Sequence, residues 1–305
     1  MDSRKLGHLA LFVVGATYAA NYLVAKGLMP DLVGPSGFIF ARVSGALILF
    51  FPILFISGFE KIKREHIPRF ILCGMFGVAI NQLMFFNGLS LTSPLNAALI
   101  ITATPIIVLV TSAILLKSKI TGRKLTGVVL GAIGAMSLIY MGKSGDESSS
   151  VMGDLFSLTN AISYSIYLVI VKPLMAHYKP ITVITWVFFV GWFFVFPFGF
   201  NQFVEVDWSA FLIKDILAFS FVVLMATFLV YLLNVFALKH LAPTTVSVYI
   251  YLQPLLVILF TFLFFYFGLA DYTADLTWQK GVCALLIFLG VYLVSFEGKK
   301  TLYEK

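Results

Sequence analysis

Charged residues are scarce in this sequence. Only 11% of its 305 residues are Asp, Glu, Lys or Arg, 60% are hydrophobic, and the mean hydropathy is +1.00. Soluble domains carry about 25% charged residues, so this composition excludes an ordinary water-soluble domain. Uncharged apolar runs recur along the whole chain, and the longest, residues 70–116, has room for two membrane crossings.

Groups that carry chemistry are also rare. The two cysteines, Cys73 and Cys283, lie inside apolar runs, which excludes a disulfide framework. No Asp or Glu falls in the middle of an apolar run, and no cluster of His, Asp or Glu has catalytic or metal-ligand spacing. The sequence therefore predicts neither an enzyme nor a cofactor or metal site.

The net charge of +7 does not indicate nucleic-acid binding. The basic residues form short runs between apolar segments and no groove-sized cluster. The partners that we expect are the lipid bilayer and a small-molecule substrate. A homodimer is a further expectation, because Gly127, Gly131 and Gly134 form a small-residue face that permits close helix packing or dimer contact.

Ten membrane-spanning helices are predicted by counting about 20 residues per crossing and cutting at Gly, Pro and charge. Their predicted bounds are 7–26, 36–57, 68–88, 94–116, 122–141, 153–172, 180–200, 216–238, 243–267 and 278–297. The run 70–116 is divided at Ser90–Pro94, where the proline suits the first turn of the next helix.

The distribution of Lys and Arg between the loops predicts the orientation. Of the 21 basic residues, sixteen fall on the side of the N-terminus, four fall on the opposite side, and Arg42 lies inside a span. Basic residues are retained on the cytoplasmic side, so both termini are predicted inside. An even number of spans agrees with this orientation, and the inner, or plasma, membrane is the expected location.

An internal repeat divides the chain into two halves. A shift of 146 residues superposes Gly7 on Gly153, Tyr18 on Tyr164 and Lys26 on Lys172, and a shift of 149 superposes Pro94 on Pro243 and Pro105 on Pro254. Five spans per half force the second half to enter the membrane in the opposite direction. The predicted fold is therefore all-α integral membrane, with ten transmembrane helices as two inverted five-helix repeats, residues 1–145 and 146–305, N-in and C-in. Inverted repeats are common in secondary transporters.

Several signatures resemble the EamA family of the drug/metabolite transporter superfamily. They are Gly153-Asp154-Leu155 running into Tyr164-Ser165-Ile166-Tyr167, Phe40-Ala41-Arg42 in the second span, the Pro94 and Pro105 pair, and the glycine-spaced fifth span. The resemblance covers essentially the whole chain. It implies export or exchange of amino acids or other small metabolites through a central cavity between the two halves. Arg42 has no basic counterpart in the second half, so any role for it is asymmetric.

Polar side chains inside spans are costly and tend to face the bundle interior or a water-filled cavity. Amides and phenols can bind a polar solute there, or can join one helix to another, and both roles are open. The candidate cavity residues are Arg42, Asn81, Gln82, Asn96, Thr102, Asn160, Tyr164, Tyr231, Asn234, Tyr251 and Gln253.

Two prolines fall near the bilayer centre of the fourth and ninth spans. Pro105 and Pro254 each lack the N–H that would pair with the carbonyl four residues earlier, at Ile101 and Ile250. They are candidate hinges that line a substrate path. The alternative is a packing kink, whose carbonyls are satisfied by neighbouring side chains.

Arg42 and Asp154 are the two charged residues that invite a functional interpretation. Arg42 is permanently charged and could bind an anionic or zwitterionic substrate, or could serve structure by reaching carbonyls or the membrane surface. Asp154, at the outer start of the sixth span, is expected to cap that helix, and it is also the candidate coupling residue. No Asp or Glu lies in the middle of any span, and the four histidines lie at the inner boundary, so facilitated diffusion or exchange is favoured over proton coupling.

Two competing functions are weaker. A nucleotide-sugar or sugar-phosphate antiporter should show several buried Lys or Arg for phosphate, and only Arg42 qualifies. A non-transport membrane protein has no evident need for two inverted halves with polar residues at the midplane.

Overall fold

A computed structural model describes residues 3–116, 121–143, 150–241 and 243–295. All regular secondary structure in these ranges is helical. Ten helical segments follow in chain order: α1 Ser3–Leu28, α2 Pro35–Ser57, α3 Arg64–Leu91, α4 Pro94–Ile101 with Thr104–Leu116, α5 Gly122–Lys143, α6 Val151–Ala176, α7 Pro180–Val204, α8 Ile213–His240, α9 Pro243–Val248 with Tyr249–Tyr251 and Leu252–Tyr266, and α10 Trp278–Ser295.

Each predicted span coincides with one of these helices. Within the described residues, nine helices are long and apolar enough to cross a membrane, and the apolar part of α10, Trp278–Gly290, is shorter. The all-α integral membrane fold is thus confirmed, with nine full-length spans and one shorter apolar helix. The predicted boundary between residues 145 and 146 lies outside the described residues.

Prolines and serines start several of the helices. The first residues of α2, α4, α7 and α9 are prolines, whose missing N–H is not needed in the first turn. Ser93 precedes α4 and its side chain accepts a hydrogen bond from the N–H of Asn96, while Ser150 accepts from Gly153 at the start of α6. Local sequence therefore determines where these helices begin.

The two halves pack in equivalent ways. Helix α1 packs against α8 and α9, and its counterpart α6 packs against α3 and α4, while α2 pairs with α7 and α5 with α10. Even the helix distortions repeat: α3 contains a π-helical turn at Met75–Ala79 and α8 contains one at Leu224–Leu229. A shift of 149 residues carries Met75 onto Leu224. These equivalences fit the inverted repeat.

The outer surface of the bundle is apolar. Ile56, Tyr266 and Ile213 are 88%, 82% and 78% exposed, whereas polar residues such as Asn21 and Gln82 are buried. This distribution is the reverse of that in a soluble protein and suits a bundle surrounded by lipid, in which polar groups must find partners inside.

The glycine face of α5 contacts α10 in the same chain. A Cβ added at Gly290 of α10 would lie 2.6 Å from the main-chain oxygen of Gly127 and from the nitrogen of Gly131, and one at Gly134 would lie 2.9 Å from the carbonyl oxygen of Cys283. These glycines therefore serve close helix packing. The homodimer stays a prediction.

Candidate functional site

A central cavity lies between the two halves. Its empty volume is about 700 Å³, including the space at its open mouth. Helices α1–α4 of the first half and α6, α8 and α9 of the second contribute its walls. The lining residues are Leu11, Val14, Gly15, Tyr18, Asn21, Tyr22, Arg42, Asn81, Gln82, Phe85, Phe86, Ile101, Asn160, Tyr164, Tyr231, Asn234, Val246, Tyr249, Ile250 and Gln253.

Arg42 is the charged residue of the cavity wall. It is 2% exposed, and its Nε donates a 2.8 Å hydrogen bond to Thr227 Oγ1 in the π-helical turn of α8. The ring centroid of Phe86 lies 4.2 Å from Cζ, so the guanidinium plane is supported by an aromatic ring. Its Nη1 is buried and has no hydrogen-bond partner among the described residues. The side chain is thus oriented by two fixed contacts, and one terminal nitrogen is left unpaired in this part of the structure.

Amides and phenols connect the helices around the cavity. Asn160 Nδ2 of α6 donates to the main-chain oxygen of Asn81 in α3 at 2.8 Å, and Tyr231 of α8 donates to Asn81 Oδ1 at 3.3 Å. Asn234 Nδ2 donates to the Tyr164 hydroxyl at 2.6 Å. Asn81 therefore joins both halves, as expected of polar groups that stabilise helix contacts in a membrane.

Other polar atoms in the cavity wall have no partner among the described residues. Asn21 Oδ1 and Asn234 Oδ1 accept no hydrogen bond from this part of the chain. Such atoms are buried at a loss of free energy unless water or a solute binds them. The wall thus holds ready hydrogen-bonding positions that carry no charge.

Eight of the eleven predicted cavity residues lie in the wall, and three lie elsewhere. Asn96 faces Asp154 near the outer end, and Thr102 donates to the carbonyl of Leu99 in its own helix. Tyr251 packs against Phe288 of α10, with 5.9 Å between the ring centroids. Whether any of the eleven contacts a substrate stays a prediction.

Helix α1 supplies residues that the sequence candidates did not include. Tyr18, Asn21 and Tyr22 all line the cavity, and the Tyr22 hydroxyl donates to Gln253 Oε1 of α9 at 3.1 Å. The repeat carried a signal for one of them, because Tyr18 aligns with Tyr164, which was a candidate.

The two candidate hinge prolines, Pro105 and Pro254, lie beside the cavity wall and do not line it. Both are buried and neither is a lining residue, whereas Ile101, Ile250 and Gln253 beside them are. Thr104 Oγ1 donates to the carbonyl oxygen of Ile101 at 2.5 Å, so a neighbouring threonine satisfies one carbonyl freed by proline. The hinge function stays a prediction.

Asp154 does not cap α6, and the capping prediction is wrong. The cap is Ser150, one helical turn earlier. The carboxylate of Asp154 is fully buried and accepts hydrogen bonds from Thr92 Oγ1 at 2.6 Å and from Asn96 Nδ2 at 3.5 Å. It therefore joins α6 to the junction of α3 and α4, outside the cavity wall.

An all-helical bundle with an apolar outer surface, and with a cavity between its two halves, defines a multi-pass membrane protein. Comparison with known families agrees: the EamA-like transporter family matches residues 5–140 and again 151–296. The chain belongs to this family.

Individual relatives are distant. An uncharacterized transporter from Archaeoglobus fulgidus is 25% identical over 94% of this chain and 96% of its own length. The uncharacterized transporter YetK of Bacillus subtilis is 21% identical over an aligned region that covers 72% of this chain and 65% of YetK. A crystal structure of a protein with 16% sequence identity superposes with a TM-score of 0.61, covering 96% of both chains, and therefore shares the fold.

Proposed function

We propose that this protein is a secondary transporter of small organic metabolites, namely amino acids or related compounds, in the inner (plasma) membrane. The observation that supports this most directly is the cavity, whose wall is built by both halves and includes Arg42, Asn81 and Asn234. In inverted-repeat transporters, one half rocks against the other around such a midplane site and exposes it alternately to each side.

The cavity chemistry suits a small polar solute. Amides and phenols provide donors and acceptors, and aromatic rings provide apolar contact area, which together resemble the mixed lining of small-molecule sites. The competing nucleotide-sugar or sugar-phosphate antiporter is less well supported. A phosphate group carries more negative charge than the single cation Arg42 can neutralise.

Facilitated diffusion or exchange is the favoured mode. Among the described residues that line the cavity there is no carboxylate or histidine to carry a proton. Asp154 is the candidate coupling residue, because it is buried and its partners belong to the α3–α4 junction. Coupling through Asp154 would have to act on that junction, since the carboxylate does not line the cavity.

Uptake and counterflow in proteoliposomes test this function. The purified protein is reconstituted and offered a panel of radiolabelled amino acids and related metabolites, with and without a pH gradient. Saturable movement that ignores the gradient supports a facilitator or exchanger. Accumulation that is driven by the gradient and is lost in Asp154→Asn shows proton coupling instead. If none of the compounds moves, the transport proposal is contradicted.

A blocking variant ties the transport to the cavity. Val14→Trp places an indole into the cavity from α1, where Val14 is 6% exposed, and we expect at least a tenfold fall in counterflow. Phe12→Trp is the matched control on the same helix, because Phe12 is 51% exposed on the lipid-facing surface. Equal rates in the two variants would place the transport path elsewhere.

A further inference from the structure

The cavity wall carries one unbalanced positive charge. Arg42 is its only residue that is charged at neutral pH, and in the described part of the chain no carboxylate forms an ion pair with that guanidinium. A buried charge without a partner is strongly unfavourable in a low-dielectric interior. An arrangement of this kind is stabilised when a ligand supplies the missing negative charge.

The contacts of Arg42 leave its terminal nitrogen Nη1 without a partner among the described residues. Thr227 Oγ1 accepts from Nε and itself donates to the carbonyl oxygen of Val222 at 2.7 Å, so the anchor has its own fixed orientation. Phe86 covers one face of the guanidinium plane. The free Nη1 belongs to the terminal pair of nitrogens, and an arginine edge of this kind matches the two oxygens of a carboxylate.

The rest of the wall is neutral. Among the described residues, Asn21 Oδ1 and Asn234 Oδ1 are amide oxygens without a hydrogen-bond partner, and apart from Arg42 the other lining side chains are amide, aliphatic, aromatic or phenolic. An ammonium group bound here would lose its hydration without gaining an opposite charge. A zwitterion could pair its carboxylate with Arg42, but its ammonium would meet no negative charge in the wall, and the net charge of the occupied cavity would stay positive.

We propose that the substrate is a small organic monocarboxylate with an apolar body and no ammonium group, and that Arg42 binds its carboxylate. This proposal rests on the proposed transport function and specifies the substrate class of the same cavity. The negative charge of the substrate balances the guanidinium, and its body lies against rings such as Tyr22 and Phe85. Among compounds related to amino acids, the deaminated acids fit better than the amino acids themselves.

Three probes that share a phenylethyl group separate the charge types. They are 3-phenylpropionate, an anion; L-phenylalanine, a zwitterion; and 2-phenylethylamine, a cation. Binding is measured on the full-length protein in detergent at pH 7.5, from the shift of the thermal unfolding midpoint with probe concentration. We expect the anion to bind at least tenfold more tightly than the zwitterion, and the cation to produce no shift. Binding of L-phenylalanine as tight as that of 3-phenylpropionate would overturn the proposal, as would no binding of either.

The role of Arg42 is tested by the ratio of the two affinities. In Arg42→Gln the preference for anion over zwitterion should fall at least tenfold, whereas a merely structural arginine would lower both affinities equally and leave the ratio unchanged. Arg42→Lys keeps the charge and should retain part of the preference, which keeps the test valid if Arg42→Gln fails to fold. Arg64→Gln, at an exposed position, is the control. An unchanged ratio in both Arg42 variants would overturn the assignment, while the proteoliposome panel decides separately whether the protein is a carrier.

Discussion

Lys26 and Lys172 make the same contact in the two halves of the bundle. The Nζ of Lys26 donates to the main-chain oxygens of Leu89, Ser90 and Thr92 at 2.9–3.0 Å, where α3 ends. The Nζ of Lys172 donates to the oxygens of Leu238 and Leu241 at the end of α8. A helix leaves its last carbonyls without partners, and a cation there binds them and complements the helix dipole. Because α3 and α8 run in opposite directions, the two contacts lie at opposite ends of the bundle.

Replacing either lysine by methionine should lower stability. Lys26→Met and Lys172→Met keep the aliphatic stem and remove the donors, so each should reduce the free energy of unfolding by about 1–2 kcal/mol, near the lower range for hydrogen bonds of charged groups. Thermal unfolding in detergent measures the change. Lys61→Met, at an exposed position, is the control. An unchanged unfolding midpoint in all three variants would contradict a capping role.

A methyl group at Gly290 should separate α5 from α10. Its Cβ would meet the backbone of Gly127 and Gly131 at 2.6 Å, so Gly290→Ala should destabilise the protein by about 1–3 kcal/mol through overpacking. Gly281→Ala in the same helix meets nothing within 4 Å and should be neutral or slightly stabilising. Unfolding midpoints of the two variants decide, and a Gly290→Ala protein as stable as Gly281→Ala would refute the close approach.

The buried ion pair between Asp275 and Lys280 should show strong coupling. Lys280 and Asp275 are 1% and 6% exposed, and Asp275 Oδ2 also accepts from the N–H of Leu95 at 3.1 Å. Removing one partner leaves a buried charge, so Lys280→Met alone should cost about 3–5 kcal/mol, and Asp275→Asn with Lys280→Met should recover part of that loss. A double-mutant cycle by thermal unfolding tests this, and strictly additive effects would argue against the pair.

The bond between Asn234 and Tyr164 should affect substrate affinity. Tyr164→Phe removes the oxygen that accepts from Asn234 Nδ2 and leaves that amide free to turn, so the half-saturation concentration in counterflow should rise about threefold to tenfold, equivalent to one neutral hydrogen bond. The maximal rate should change little. Tyr266→Phe is the control because Tyr266 is 82% exposed. Identical half-saturation in the two variants would show that Tyr164 does not shape the site.

The starts and ends of most helices could be predicted from the sequence. Pro94 and Pro180, for example, begin helices at the predicted residues, because a proline in the first turn acts through its own backbone. The repeat was equally visible, since Lys26 and Lys172 are identical residues in aligned positions. The role of Asp154 could not be predicted, because its partners Thr92 and Asn96 are about 60 residues away in the chain.

The apolar helices, the count of segments long enough to cross a membrane and the duplication all follow from the amino-acid sequence, since each depends on local hydropathy and on residues compared along one chain. Which polar groups meet depends on the tertiary structure. Asn81 and Asn96 are both amides inside spans, yet Asn81 lines the cavity and Asn96 faces Asp154. The rotation of each helix about its axis determines this difference, and packing against neighbouring helices sets that rotation. Span prediction cannot supply it, because every backbone hydrogen bond of a helix is satisfied at any rotation.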